Sequence, residues 1–261
     1  MELGSGISAV VTGGASGLGA ATARKLSSHG VKVGIFDLNE EQGKAVADEI
    51  GGVFAKCDVT NEDDVVSALQ TVRDAHGQER ILVNCAGIAI GKRLLKKDRE
   101  TGTITPHDVA SFSKVVQINL IGTFTMMSKS AAGMVTLDPI NDDGERGVIV
   151  STASVAAEEG QIGQVAYSAS KGGVQSMTLP LARDLSKDGV RVNAILPGLF
   201  HTPMFDGLPD EARDALAASV PFPSRLGSPN EYAQLVADIC QNVMLNGVNI
   251  RLDGAVRLGP R

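Results

Sequence analysis

Short, unbroken apolar runs alternate with amphipathic stretches along most of the chain. Ile7–Val11, Val31–Phe36, Val53–Ala55 and Ile81–Val83 are continuous and rich in Val and Ile. Runs of this kind, without a polar alternation, predict strands buried on both faces. Between them, residues 17–29, 40–50 and 61–75 carry apolar side chains at helical spacing. Leu18, Ala21 and Leu26 fall toward one side of the first, and Val65, Leu69 and Val72 toward one side of the third. The second half continues less regularly. Residues 107–135 predict one long helix or two joined ones, Gly147–Val150 a strand, and 164–187 a helix. Val190–Leu196 predicts a strand, 229–244 a helix, and Val248–Leu252 a last strand.

Strands separated by helices build a parallel sheet covered on both sides. The pattern therefore predicts an α/β fold, a Rossmann-like doubly wound parallel sheet of about seven strands with helices on both faces. No linker-like change of composition divides residues 1–261, so one domain is expected. Three stretches exceed ordinary loop lengths and read as lids, binding loops or disorder. Residues 89–105 are polar and basic (Lys92, Arg93, Lys96, Lys97, Arg99), residues 137–147 are turn-rich, and residues 199–227 are rich in proline.

Composition narrows the function. The chain has 261 residues and a net charge of −6, and aromatic residues make up only 3% with no tryptophan. A broad basic surface or a stacking platform for nucleic acid is not expected. No run reaches the roughly 18 apolar residues of a membrane span. Three scattered cysteines, none in a CxxC pair, support neither a disulfide framework nor a metal site. The opening Met-Glu-Leu-Gly-Ser-Gly has the pattern of no targeting segment, so a cytoplasmic protein is expected.

Candidate chemistry begins at Thr12-Gly13-Gly14-Ala15-Ser16-Gly17-Leu18-Gly19, between the first strand and the first helix. Glycines there let the backbone approach a pyrophosphate, which free N–H groups and the helix N-terminus would meet. A bare β–α turn is the plainer reading. Asp37 ends the second strand, where an acid hydrogen-bonds an adenosine ribose and repels a 2′-phosphate. With no Arg or Lys at Ala15, Ser16 or Leu38, NAD is favoured over NADP. A solvated strand-end aspartate is the plainer alternative. Asp58 and Asn84 close two further strands at the same sheet edge.

Tyr167-Ser168-Ala169-Ser170-Lys171 puts a phenol and an ammonium at i and i+4 of one helix. A cation near a phenol lowers its pKa and makes it a usable acid and base. A half-buried tyrosine beside a surface lysine would look the same. Ser154, just past the strand at 147–150, can hydrogen-bond a substrate oxygen, with Ser151 and Thr152 as competitors. Asn119, inside the long central helix, either kinks it and holds a water near Lys171 or is an ordinary polar position.

Together, TGGASGLG, Asp37, Asp58-Val59, Asn84-Cys85-Ala86-Gly87, Asn119, Ser154, YSASK and Pro197-Gly198 resemble the short-chain dehydrogenase/reductase family over essentially the whole chain. The run 154–185 and the segments PGLFHTPM, VPFPSRLG and LNGVNIRLDGA are similar to its type-2 3-hydroxyacyl-CoA dehydrogenase branch. That branch is also described as acting on 17β-hydroxysteroids. The resemblance implies Tyr167 as acid/base, Lys171 as its partner on the nicotinamide ribose, Ser154 and Tyr167 on the reacting oxygen, and Asn119 behind a proton relay. It implies an NAD site formed by Gly13, Ser16, Gly17, Leu18, Gly19, Asp37, Asp58, Val59, Asn84, Cys85, Ala86, Gly87, Tyr167, Lys171, Pro197, Phe200 and Thr202. It further implies a homotetramer, a place in fatty acid metabolism and a substrate that is a short acyl-CoA, with a steroid or other secondary alcohol as the alternative. A binding scaffold on the same fold is the reading from outside enzymology. The basic stretch 92–99 is expected to meet the coenzyme A phosphates. The apolar residues Leu199, Phe200, Met204, Phe205, Leu208 and Phe222 are expected to cover the acyl chain.

Overall fold

A computed structural model describes residues 1–203 and 209–260. Met204, Phe205 and Leu208 lie outside the described residues. The main sheet holds seven parallel strands in the order β3-β2-β1-β4-β7-β8-β9. These are β1 (Ser8–Thr12), β2 (Lys32–Asp37), β3 (Val53–Lys56), β4 (Ile81–Asn84), β7 (Gly147–Thr152), β8 (Val190–Pro197) and β9 (Asn249–Leu252). The helices are α1 (Gly17–Ser28), α2 (Glu40–Ile50), α3 (Glu62–His76), α4 (Val109–Val116), α5 (Thr123–Met134), α6 (Val165–Asp184), α7 (Asp210–Ala218) and α8 (Pro229–Gln241).

The unbroken apolar runs have a simple cause. Successive side chains of a strand point to opposite faces, and both faces here are covered. Ala9, Val11, Ile81, Val83, Val148 and Val150 join a core with α1, α2 and α8. Val10, Leu82 and Ile149 join a second core with α3, α5 and the end of α6. Local signals set most helix ends. Asn39, Asn61, Asp108 and Ser228 cap α2, α3, α4 and α8 with side-chain acceptors, and Gly51 ends α2 in the left-handed conformation.

Of the two readings for 107–135, two joined helices is the one that forms, with a wide π-turn between them at Gln117–Gly122. Such turns interrupt an α-helix where a side chain is needed in a particular direction. The stretch expected as a loop at 89–105 departs from the prediction. It contains β5 (Leu95–Lys97) and β6 (Ile104–Pro106), an exposed antiparallel hairpin. Too few apolar positions alternate there for a pattern to be visible. Helix α8 stops at Gln241, three residues short of the expected end.

Sheet topology decides where a ligand goes. β1 pairs with β2 on one side and β4 on the other, and connections run in opposite directions from that point. In open α/β sheets the crevice outside the carboxyl ends of the strands at this switch point is the binding site. The register sets Thr12 opposite Asn84 and Asn84 opposite Ser151, so those strand ends form one row.

Candidate active site

A cavity of about 1030 Å³ opens along that row of strand ends. It exceeds the roughly 300–1,000 Å³ usual for a small-molecule pocket, which leaves room for more than one ligand. Gly13, Ser16, Gly17, Leu18, Gly19, Asp37, Asp58, Val59, Cys85, Ala86 and Gly87 line one half, and Pro197, Phe200 and Thr202 line it beyond. Two expected members do not. Asn84 lies behind the wall, donating through Nδ2 to Ser151 Oγ at 3.1 Å, and acts as a strut between strands. Asn119 is likewise fully buried and outside the lining.

The glycine turn is built for close approach. Gly13 has φ +62°, and a Cβ there would sit 2.8 Å from the Ala86 nitrogen. A Cβ on Gly19 would lie 2.1 Å from the Gly13 carbonyl oxygen. Thr12 Oγ1 accepts from the N–H groups of both Cys85 and Ala86 at 3.2 Å, which ties the turn to the end of β4. Helix α1 follows Ser16, which makes no side-chain cap, and carries no acid in its first turn. Its N–H groups and dipole therefore face the cavity without an internal partner. That is an anion site, and it fits a pyrophosphate.

Asp37 is held by two backbone donors. Oδ2 accepts from Ala15 N–H at 3.0 Å and Oδ1 from Asn39 N–H at 3.0 Å. The carboxylate thereby keeps a fixed direction and retains lone pairs for a pair of hydroxyls. Asp58 accepts from the Thr60 N–H at 2.9 Å and its hydroxyl at 2.7 Å. These donors turn a strand-end acid into a positioned one.

On the other half, Ser154, Tyr167 and Lys171 meet in the same cavity. Ser154 follows β7 in extended conformation, and its Oγ accepts from Ala156 N–H at 3.1 Å. Its hydroxyl lies near the Tyr167 phenol in the same cavity. Ser151 is excluded as an alternative: it is buried behind the wall on Asn84. Thr152 lines the cavity, but its hydroxyl donates to the Asn84 carbonyl at 2.7 Å and meets Tyr232 Oη at 2.7 Å. Tyr167 and Lys171 share a face of α6, with Nζ 5.9 Å from the ring centroid.

The expected lowering of the phenol pKa is not found in this arrangement. Burial raises Tyr167, and the nearby Ser154 hydroxyl offsets this only in part. The lysine Nζ lies 5.9 Å from the ring centroid and donates to the Thr152 carbonyl at 2.6 Å. Burial also lowers Lys171 to about 8, so its charge is itself poised.

Asn119 sits in the π-turn. Its Oδ1 accepts from Ile88 N–H at 2.8 Å, and Nδ2 donates to the Ile88 carbonyl at 2.8 Å and to Ser170 Oγ at 3.1 Å. Ser170 in turn donates to the Tyr167 carbonyl at 2.7 Å. The amide thus imitates a strand edge for the segment after β4 and ties it to the helix of Tyr167. The helix is interrupted, as one of the two sequence readings has it.

Sequence reasoning missed the rest of the second half. Gln161, Gln164, Leu216 and Leu258 line it, as do Lys114 and Gln117. The two glutamines stand in the run before Tyr167 and could have been found there. Leu216 and Leu258 carry no local signal. One expectation is corrected. Phe222 is 83% exposed and outside the lining, so it covers nothing there. None of the cations at 92–99 lines the cavity, and Lys92 is engaged with Asp108 at 2.7 Å and Ser111 at 2.7 Å.

Comparison with known proteins gives a consistent result. The family model described as short chain dehydrogenase matches residues 8–213. A 3-hydroxyacyl-CoA dehydrogenase type-2 of Drosophila melanogaster is 51% identical over 253 residues, covering 96% of this chain and 97% of the relative. The Homo sapiens protein of the same name is 49% identical over 259 residues, covering 98% and 97%. A crystal structure of 3-hydroxyacyl-CoA dehydrogenase type-2 from Mycobacterium avium superimposes with a TM-score of 0.91 at 43% identity, covering 98% of each chain.

Proposed function

The chain belongs to the short chain dehydrogenase family, an oxidoreductase family, and from that premise we propose that it moves a hydride between NAD(H) and the 3-hydroxy or 3-keto group of a short-chain acyl-CoA. One observation carries the reading. The uncapped α1 N-terminus and the oriented Asp37 share a single cavity with Ser154, Tyr167 and Lys171. A dinucleotide site and an acid/base pair in one space are what hydride transfer to a carbonyl requires. The names carried by relatives near 50% identity support the acyl-CoA as substrate.

In this reading the α1 N-terminus and the Gly13–Gly19 turn bind the pyrophosphate, and Asp37 accepts from the adenosine ribose. Asp58, Val59 and the Cys85–Gly87 segment line the adenine and ribose side. Pro197, Phe200 and Thr202 stand toward the nicotinamide. The cofactor supplies or accepts the hydride. Ser154 donates to the substrate oxygen and orients it. In the reducing direction the Tyr167 phenol gives its proton to that oxygen, and in the oxidising direction it takes one back. Lys171, whose charge is present below about pH 8, stabilises the phenolate that remains. Asn119 keeps the segment after β4 and the Tyr167 helix in register.

We take residues 1–261 as one NAD-binding domain with 199–227 as its substrate loop. The reading includes a homotetramer working in the cytoplasm in fatty acid metabolism. Exposed Val109, Ile121 and Phe124 on α4, the π-turn and α5 support self-association. Among the described residues no helix is long and apolar enough to cross a membrane.

The test is NADH consumption with acetoacetyl-CoA, followed by the near-ultraviolet absorbance of NADH. The reading expects turnover with NADH far above that with NADPH. Turnover only with steroids or simple secondary alcohols would move the substrate assignment, and none with any carbonyl would leave a binding scaffold.

A further inference from the structure

The segment after β9 lies against the chain that separates the Ser154 turn from the Tyr167 helix. Three consecutive residues are laced to it. Leu258 N–H donates to Glu159 Oε2 at 2.9 Å, the Gly259 carbonyl accepts from Gln161 Nε2 at 3.1 Å, and the Pro260 carbonyl accepts from Ile162 N–H at 3.0 Å. Charge reinforces the lacing. Glu159 Oε1 pairs with Arg251 at 3.1 Å and with Arg257 at 3.2 Å, and Arg251 also pairs with Glu158 and Asp253. Networks of this kind fix geometry better than isolated surface pairs.

Leu258 is the side chain this ladder presents to the cavity. One side of it packs on the small core of Ala153, Val155 and Leu196. Its other side lines the half of the cavity that holds Ser154 and Tyr167, in company with Leu216 and Gln164. A branched apolar side chain is therefore tethered in the substrate half, more than 90 positions from the catalytic tyrosine in sequence. Neither the proton transfer nor the dinucleotide site uses it.

Resting on the acyl-CoA reading above, we infer that Leu258 limits the length of the acyl chain this enzyme accepts, and that Glu159 is the positioning residue that holds Leu258 in place. A chain that outgrows the space beside Ser154 meets the leucine, and the wall does not retreat, because its backbone is bonded on three successive residues. In apolar pockets one methylene too many or too few changes turnover by roughly 10–200-fold, so one wall residue is enough to set a limit.

The experiment compares kcat/KM for 3-ketoacyl-CoA of four, six, eight and ten carbons with NADH, in wild type, Leu258→Ala, Leu258→Met and Glu159→Gln. Wild type is expected to fall steeply as the chain lengthens. Leu258→Ala should raise the eight-to-four-carbon ratio by about tenfold or more, on the scale of a methylene in an apolar pocket. Leu258→Met, of similar volume, should keep the wild-type profile. Glu159→Gln should move the ratio in the same direction as Leu258→Ala and by less, with KM for NADH unchanged. A ratio between chain lengths does not depend on how much of a variant is folded, so partial instability leaves the test intact. A Leu258→Ala enzyme with the wild-type chain-length profile overturns the inference while leaving the acyl-CoA reading standing. A wild type that turns over no acyl-CoA of any length defeats the acyl-CoA reading instead.

Discussion

The two halves of the cavity are made in different ways. The half under β1–β4 is backbone: a glycine turn, a helix N-terminus and strand ends whose donors orient Asp37 and Asp58. The half beyond β7 is side chains from segments far apart in the chain, among them Ser154, Gln161, Tyr167, Leu216 and Leu258. A pyrophosphate and a ribose are generic, and one glycine turn, one helix N-terminus and one strand-end acid can recognise them. A particular carbonyl compound needs placed side chains, and these come from wherever the fold can bring them. The first half should therefore respond to substitution in cofactor choice alone, and the second in rate and substrate choice.

The largest effect should come where the halves meet. Tyr167→Phe keeps the ring and removes the proton donor, and general acid/base assistance is typically worth about 10²–10⁴-fold. A fall of that size in kcat, with NADH affinity from a binding titration little changed, is expected. A variant that keeps most of its activity would mean that another group moves the proton.

Next in size is Asp37→Ala. Hydrogen bonds to a charged group are worth about 1.5–3 kcal/mol, or roughly 10–150-fold. The substitution should narrow the NADH-over-NADPH preference by that order, read as the ratio of catalytic efficiencies, and leave the choice among carbonyl substrates alone. A shift in substrate choice would blur the division between the halves.

A smaller effect is expected in the pH profile. Lys171 is held at about 8 by burial, so its charge is present below that pH and lost above it. The Tyr167 proton is retained to higher pH because burial raises the phenol. Ketone reduction should therefore decline through about pH 8, with the lysine setting the limb. A rate constant that stays flat to well above that pH would remove Lys171 from the chemistry.

The smallest effect belongs to the β5–β6 hairpin. Arg93, Lys96 and Lys97 are exposed and outside the cavity, and Lys92 is already paired with Asp108. Neutralising all four should raise KM for acetoacetyl-CoA a few-fold and leave KM for a substrate without the nucleotide unchanged. The effect should fade with salt, since charges are screened beyond about 8 Å at physiological ionic strength. Equal changes on both substrates would mean a disturbed hairpin rather than a phosphate contact.

The same contrast explains what could be read from the chain. Strands buried on both faces announce themselves as unbroken runs, so the order of β1 to β4 and their helices was legible from Ile7, Val31, Val53 and Ile81 onward. Asp37 and the glycine turn were legible because their geometry is local. Asn119 was visible as a polar residue in a helix, but its bond to Ile88 was not, since Ile88 contributes only backbone. Leu216 and Leu258 were invisible because nothing near them in sequence differs from an ordinary surface helix or loop. The hairpin at 95–106 leaves no pattern in the sequence because its strands are three residues long and wholly exposed, with no buried face to impose a period.

The most direct measurement is an ultraviolet titration of the tyrosines. The chain has two tyrosines and no tryptophan. Tyr232 is fully buried, and burial holds its phenol well above the ordinary range, so an ionisation at moderately alkaline pH reports Tyr167 alone. The central claim is that Tyr167 is the proton-carrying group and faces the bound nicotinamide across one cavity. It predicts a Tyr167 ionisation raised above the ordinary phenol range in the free enzyme that moves to lower pH with NAD⁺, because a positive ring in the same cavity favours phenolate. It also predicts that Tyr167→Phe abolishes this step. An ionisation that stays at the same pH with and without NAD⁺, or that survives in Tyr167→Phe, would contradict it.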